Sequence, residues 1–354
     1  MSNTNTKLTS AQRAQLFNNS TRENIHMMPK QTATEVLSNM VFTFPKSRLL
    51  AKIYMAVKVK VNVKGTAGKV EGLPVFAPAR ILKRIGVSLN NGFDPVVLSG
   101  EKLMMLNMIQ MHPGMIMPAP TGTNFKFDGF TASAEGTTNE YSFMTEIPVT
   151  LNENVNTGLI LLQNAETQVQ LSVDIASPSD IFVKEGYSIE IEKVEIQPAL
   201  VTFTIPAVEQ AFPDLSVLKL ATARTETFPG AGENIVKLNV GTIYRKIVLY
   251  LEHEDGTPFK DSDITSNIQI LFNQADTPYN VSPEMLRYIN GAHLGMTLPE
   301  GVYIFDFSSQ GQLSNLGGSR DLIDTERLQE FWIKFASEKA GKVTVISENL
   351  TRLK

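Results

Sequence analysis

The sequence predicts an all-β protein made of two consecutive β-sandwiches with few helices, and three observations carry that prediction. Apolar and polar residues alternate with a period of two in run after run, which turns one face of each strand toward a core. The runs are short and bounded by turn residues, the pattern of antiparallel sandwiches rather than of a parallel α/β sheet. Each half also holds one helix start of the same form, Leu98-Ser99-Gly100-Glu101-Lys102-Leu103 and Val281-Ser282-Pro283-Glu284-Met285-Leu286. In both, a serine N-cap satisfies free amides and an acid in the first turn complements the helix dipole, while Pro283 fits the N1 position. The duplication is faint, but it points to one kind of β-rich unit made twice.

Composition sets the outer bounds. With 354 residues there is chain enough for two ordinary domains, each with a sizeable core. The 42% hydrophobic and 19% charged residues are those of a globular protein. A net charge of -4 argues against direct nucleic-acid binding, which needs a concentrated basic surface. There is no cysteine, which excludes disulfides, thiolate metal sites and cysteine nucleophiles, so stability has to come from packing or from assembly. No apolar stretch is long enough to span a bilayer as a helix. The opening MSNTNTKLTSAQRAQLFNNS is polar and has no apolar core of a secretory signal.

The elements follow in order. Residues 1–40 read as a polar arm with a local basic excess, in which Thr9-Ser10-Ala11-Gln12 reads as a capping box for a short helix through Ala11, Ala14, Leu16 and Phe17, with a frayed arm as the alternative because the amphipathicity is weak. Val57-Lys58-Val59-Lys60-Val61-Asn62-Val63 alternates cleanly, with lysines to water, and ends at the Gly65–Gly68 loop. Ile81–Leu89 is a strand closed by the turn signal Asn90-Asn91-Gly92. Met104, Met105, Met108, Met111, Met115 and Met117 cluster after the first helix start, where they serve as a core cushion between sheets or, in the rival reading, as a subunit interface. Gln168–Ile175 alternates again, burying Val169, Leu171, Val173 and Ile175. In Ser188–Ile196 the apolar parity slips from Ile189 and Ile191 to Val194 and Ile196, which calls for a β-bulge near Glu192–Lys193 or a junction of two strands. Gln197-Pro198 breaks the pattern, and a second domain begins at Leu200. Its strands are Leu200–Ile205, Ile243–Leu251 before the Asp255-Gly256 turn, Asn267–Phe272, Val302–Phe307, Leu328–Phe335 and Lys342–Ile346.

Nothing in the sequence asks to be an active site. His26, His112, His253 and His293 are scattered without ligand spacing. Asp261-Ser262-Asp263 starts like a calcium loop but lacks the glycine and the distal glutamate, so a polar loop is the favoured reading over a bound cation. Gly230-Ala231-Gly232 lacks the third glycine of a dinucleotide fingerprint and sits among strands. Lys58, Lys60 and Lys64 share one strand face, the solvated one.

Several segments together resemble the major capsid proteins of tectiviruses, the internal-membrane phages, and most of all those of Gram-positive hosts. They are Leu8–Leu16, Asn156-Thr157-Gly158-Leu159-Ile160-Leu161-Leu162 with Gln168–Ile175, and Tyr244-Arg245-Lys246-Ile247 into Glu254-Asp255-Gly256. The most specific is Met296-Thr297-Leu298-Pro299-Glu300-Gly301-Val302-Tyr303-Ile304-Phe305-Asp306, similar to that family's helix-to-strand entry FP-x-GVYY. The resemblance implies a double jelly roll: two consecutive eight-stranded rolls, residues 41–199 and 200–354, behind the arm of residues 1–40. It implies a homotrimer that tiles pseudo-hexagonally with neighbouring capsomers and other capsid proteins, forming an icosahedral shell around an internal membrane. The protein would then reside in the virion after assembly in the host cytoplasm, with no cofactor, metal or catalytic residue. The arm would meet the membrane, bringing Lys7, Arg13, Leu16, Phe17, Arg22 and Lys30 to the lipid surface. The modest loops leave no room for elaborate receptor-binding towers. The rival is a two-domain β-sandwich that binds carbohydrate or mediates adhesion. It would need exposed aromatics, and the single tryptophan, Trp332, is expected in a core or an interface.

Overall fold

The computed structural model describes residues 8–34, 37–74, 76–90, 92–111, 129–150, 157–163, 166–308 and 322–352. Helix α1 (Ser10–Ser20) leads into β1 (Glu23–Met27), β2 (Gln31–Ala33), β3 (Asn39–Thr43), β4 (Leu49–Lys64), β5 (Gly68–Lys69), β6 (Leu82–Leu89) and β7 (Phe93–Leu98). Helix α2 (Gly100–Asn107) follows, then β8 (Thr131–Ala132), β9 (Thr137–Pro148), β10 (Ile160–Leu161), β11 (Val169–Ile175), the short α3 (Pro178–Ile181) and β12 (Ser188–Phe203). The second half comprises β13 (Val217–Phe228), β14 (Gly232–Leu238), β15 (Ile243–His253), β16 (Ile268–Phe272), β17 (Asp276–Val281) and helix α4 (Pro283–Leu294). It ends with β18 (Val302–Asp306), β19 (Ile323–Asp324), β20 (Phe331–Ser337) and β21 (Gly341–Arg352).

Each half is a jelly roll. In the second, the sheet β13-β21-β15-β18 faces β14-β20-β16-β17. In the first, β12 and β4 form the middle of one sheet, with β1 and β2 on the far side of β12 and β9 and β10 on the far side of β4. That sheet faces β3-β11-β6-β7. The named pairs are antiparallel with one exception: β7 runs parallel to β13, pairing Val96 with Ala221 and Val97 with Thr222, so one sheet of each roll merges into a common sheet.

Local rules account for the individual pieces. The alternation in β4 buries Val57, Val59, Val61 and Val63 while Lys58 and Lys64 face water. The parity slip in β12 is a bulge: its register with β4 shifts between Ile191 and Lys193, leaving Glu192 unpaired. Thr9 caps α1 with the expected box, since its hydroxyl accepts from the Gln12 amide at 3.2 Å and its own amide donates to the Gln12 side chain at 2.9 Å. Ser99 and Ser282 cap α2 and α4.

The two rolls share one further device. Asn107 and Asn290 fall at the same spacing from Ser99 and Ser282, and each clamps a strand that comes after its helix, β9 and β18. Asn107 donates to the Glu146 carbonyl at 2.7 Å and accepts from the Glu146 amide at 3.0 Å. Asn290 does the same to Ile304, at 2.8 and 3.0 Å. A buried amide that satisfies both backbone groups of one residue fixes helix against strand, because misplacement strands several polar groups at once.

Three expectations are corrected. The strand does not break at Gln197-Pro198: β12 runs on to Phe203, paired with β4 along its length. Proline is tolerated there because its neighbour on the other side is interrupted, β1 pairing with residues 199–203 and β2 with 194–196. The arm is shorter than residues 1–40, because β1, β2 and the start of β3 are strands of the first roll. And Phe17 does not face outward. It is 0% exposed, packed with Leu49, Ala51, Leu159 and Val201, its ring edge-on to Phe203 at 5.4 Å. Helix α1 is thus docked on the outer face of the β4–β12 sheet. Lys7, Glu35, Asn91, His112, Met115, Met117 and Asn156 lie outside the described residues.

Truncating Phe17 should therefore destabilise the fold. Phe17→Ala is expected to lower unfolding free energy by about 3 kcal/mol, the low end for buried Phe→Ala changes. Urea denaturation checks this, and an unchanged midpoint would mean that the helix contributes nothing to the fold.

Candidate assembly surfaces

In the second roll, β15 is buried on both faces. Ile247, Leu249 and Leu251 enter that roll's own core, whereas Val248 and Tyr250 join the buried cluster of the first roll. Ile346, Ala221 and Leu218 from β21 and β13 turn the same way. From the first roll, Leu103, Met104, Met105, Leu106 and Met108 belong to this cluster, so these methionines are core residues of the described chain. Within the first roll, Gly100 lets α2 lie close on residues 79–82, since a Cβ there would collide with the Ala79 carbonyl oxygen and the Leu82 side chain.

Charged side chains are trapped along the same seam. A bulge at Arg245 sets Lys246 directly across from Glu348. Glu348 is fully buried, with Lys219 and Lys246 each 3.5 Å from Oε2 and Arg245 3.8 Å from Oε1. Gln110 of the first half donates to the same carboxylate at 3.2 Å. Burial opposes the Glu348 charge, but the three cations outweigh it and hold its carboxyl below the usual range.

At the other end of the seam lies a cleft of about 210 Å³, lined among others by Lys102, Thr225, Tyr250 and Thr344. Arg80 bridges two carboxylates there, Glu101 at 2.5 Å and Glu252 at 3.6 Å, and Lys102 donates to Thr225 at 3.3 Å. Burial raises the Glu101 carboxyl although Arg80 pulls it down. The cleft is a polar clasp between the rolls, with equal numbers of cationic and anionic side chains in its wall and no nucleophile–base pair.

The residues singled out from the sequence are dispersed. Arg13 and Leu16 lie exposed on α1, Arg22 is exposed before β1, and Lys30 is exposed but ion-paired with Glu195 at 3.1 Å. Asp261 accepts from Tyr303 at 2.7 Å and pairs with Arg287 at 3.0 Å, while Asp263 accepts from the Lys260 amide and lies 3.4 Å from His253. These carboxylates are spent on local structure, and among the described residues no group of three or more potential ligands could hold a metal ion. Trp332 sits half-buried on β20 with Lys237 over its ring at 5.6 Å, on an outer sheet face rather than in a core.

Sequence reasoning missed a set of exposed apolar side chains. Met285, Tyr288 and Ile289 line one face of α4, and Ile25 and Met27 project from β1. Their signal was available: apolar residues at i, i+3 and i+4 on a helix that also buries Leu286 leave too many apolar positions for one core-facing stripe.

No protein-family model and no curated protein matches the chain. Solved structures do. The major capsid protein of STIV, the Sulfolobus turreted icosahedral virus, superposes with a TM-score of 0.68 at 15% identity, covering 93% of this chain and 97% of that one. The PBCV-1 virus capsid gives 0.63 at 8% identity over 93% and 94% of the two chains. The major capsid protein P2 from bacteriophage PM2 gives 0.54 at 9% identity over 94% and 98%. The chain has the double jelly-roll fold of these viral major capsid proteins.

The seam also makes a prediction about pH. Burial above all lowers the Lys219 ammonium from the ordinary 10.5 to about 8, with Glu348 opposing. Between those values the unfolded chain holds more protons than the folded one, so this group makes stability rise with pH in that window. The wild type should gain stability relative to Lys219→Met from about pH 7.5 to about pH 10, read from paired urea melts. Parallel curves over that range would show Lys219 still charged throughout.

Proposed function

We propose that this protein is a structural major capsid protein whose trimers are pseudo-hexagonal capsomers of an icosahedral shell around an internal membrane. The observation that carries this reading is the correspondence with the STIV major capsid protein over 93% of this chain and 97% of that one, both rolls included. The sequence resemblance to tectiviruses narrows the reading to internal-membrane phages of Gram-positive hosts. Its partners are two further copies, neighbouring capsomers and other capsid proteins, and its place is the virion, after assembly in the host cytoplasm. The role is mechanical, without cofactor or catalysis. The two rolls, one ending with β12 and the other beginning with β13, act as two lobes, and three chains present six.

The absence of any cysteine places the burden of durability on packing and assembly. Obligate interfaces bury more than about 2,000 Å², so the trimer should persist on dilution. Light scattering after size exclusion is expected to give three chain masses, and a clean monomer at micromolar concentration overturns the capsomer reading.

The N-terminal arm serves the membrane in this reading, now through Arg13, Leu16 and Arg22 together with Lys7, with Phe17 as the anchor that holds α1 on the roll. Basic residues near an anionic surface contribute about 1 kcal/mol each, and many arms on one shell multiply a feeble contact. Arg13→Glu with Arg22→Glu should leave the trimer folded and weaken its binding to anionic liposomes, most visibly at low salt. Unchanged binding would assign the arm to subunit contacts alone.

A further inference from the structure

The buried cluster at the seam holds more positive charge than its one carboxylate answers. Lys219 from β13, with Arg245 and Lys246 from β15, surrounds Glu348, and all four are buried. Glu146 also acts on Lys219, but it is paired with Lys52 at 3.6 Å. A buried ammonium without a full counter-charge is costly. Lys246 donates to Glu348 at 3.5 Å, whereas Lys219 Nζ has no hydrogen-bond partner among the described residues. Burial lowers the Lys219 ammonium to about 8, so an appreciable fraction is already the neutral, nucleophilic amine near neutral pH.

An acyl group lies on the same carboxylate oxygen. Gln110, just past α2 in the first roll, donates its Nε2 to Glu348 Oε2 at 3.2 Å, and that oxygen is 3.5 Å from Lys219 Nζ. The Gln110 Oε1 is buried and has no hydrogen-bond partner among the described residues. Amine, carboxylate and carboxamide, from three segments far apart in sequence, thus converge on one oxygen. The surrounding cations keep Glu348 ionised against its burial. Its Oε2 is therefore a base that faces both an attacking nitrogen and a leaving one, the geometry that acyl transfer needs.

We propose that Lys219 and Gln110 condense into an intramolecular isopeptide bond that staples the second roll to the first, with Glu348 carrying the proton from the attacking nitrogen to the leaving one. The neutral Lys219 Nζ attacks Cδ of Gln110, and a new C–N bond forms. A proton from the attacking nitrogen passes to Oε2 and on to Nε2; the old C–N bond then breaks, ammonia leaves and Glu348 is again a carboxylate. The step is redox-neutral and consumes no other reactant. Arg245 and Lys246 remain charged in the cluster and favour the negative charge that develops on Oε1 of Gln110. Confinement supplies the effective concentration that a free amine and amide lack. The product amide does not ionise, so the reaction removes one of three buried positive charges, which gives it a direction. In a chain without cysteine the bond does the work of a disulfide, tying residue 110 to residue 219. The pH dependence described above for Lys219 belongs to the chain before this bond closes. The inference rests on the seam and is independent of the capsomer reading.

The test incubates the full, folded chain and follows it by intact-mass spectrometry and peptide mapping. The mass is expected to fall by one ammonia, and the digest to yield a branched peptide joining Gln110 to Lys219. Formation should be about tenfold faster at about pH 9 than at about pH 7, as the lysine loses its proton. A chain held unfolded in urea should keep its full mass. Gln110→Leu and Lys219→Met, checked for folding by circular dichroism, should give no branched peptide, and Glu348→Gln should give none either. Should a variant misfold, the pH and urea comparisons on the wild type decide the question alone. A folded wild type with no branched peptide overturns the proposal, even if ammonia is lost, because an asparagine succinimide loses it too. A branch through another lysine, or one that forms equally fast in urea, overturns it as well. A branch that persists in folded Glu348→Gln overturns the proton-carrying role.

Discussion

A sheet that must bury both of its faces constrains the rest of this molecule. The β13-β21-β15-β18 sheet closes the second roll with one face and lies against the first roll with the other. A strand in that position has no solvated side on which to discard polar residues. Where β15 nevertheless carries Arg245 and Lys246, the charges have to be answered within the protein, and Glu348 on the next strand is placed to do so. Removing one partner from such a set leaves uncompensated buried charge, which costs far more than the set adds while intact. The cluster consequently fixes how the strands align at the seam more than it adds to stability, and the Arg245 bulge is the local adjustment that brings Lys246 opposite Glu348.

The same seam explains why two copies of one unit look so different from outside. Both rolls follow one strand, β7 or β17, with a serine-capped helix and then clamp a later strand, β9 or β18, with an asparagine side chain. The clamps are interior and equally needed in each roll, so they are identical. The outward residues of the two helices answer to what lies against them. Met105 and Leu106 are buried in the cluster that the second roll's sheet shares, whereas Tyr288 and Ile289 are exposed among the described residues. Sheet edges obey the same logic, since a bare edge is a template for pairing and has to be covered, charged or used. Here β7 and β13 cover each other, while among the described residues β1 and β17 have no strand beyond them.

How much of this could be read from the sequence depends on how local the cause is. The alternation of Val57–Val63 and Val169–Ile175, the caps at Thr9, Ser99 and Ser282, and the bulge at Glu192 are set by neighbours a few residues away. All of these were legible. The tolerance of Pro198 was not, because it depends on a gap between β1 and β2 some 170 residues earlier, visible only once the strands are paired. Strand β1, Glu-Asn-Ile-His-Met, reads as polar arm because an edge strand on the outside needs no second apolar face. Ile243–Leu251 gave the clearest missed signal. Its apolar residues run on rather than alternate, the mark of a strand covered on both sides, and that already implied a second layer beyond the roll's own core.

Phe17 shows how a single buried side chain changes the meaning of a segment. On composition the first residues are a loose basic arm, and an arm of that kind can reach anywhere its length allows. With the ring held between Leu49, Ala51, Leu159 and Val201, and with Arg22 bonded through its amide to Thr204, the helix is bound to the outer face of one sheet. Ordering the helix costs conformational entropy, which the burial of a large aromatic side chain offsets. Whatever the arm contacts is therefore determined by which side of the roll carries the β4–β12 face. Arg13 and Leu16 project from that face and Lys30 does not project freely, being paired with Glu195. The charge available for an anionic surface is thus smaller than the sequence count, but it is held in a fixed direction and repeated by every copy in an assembly. In the proposed shell, repetition with common orientation would turn contacts of about 1 kcal/mol into attachment, whereas a freely moving arm would have to supply that orientation anew at each encounter.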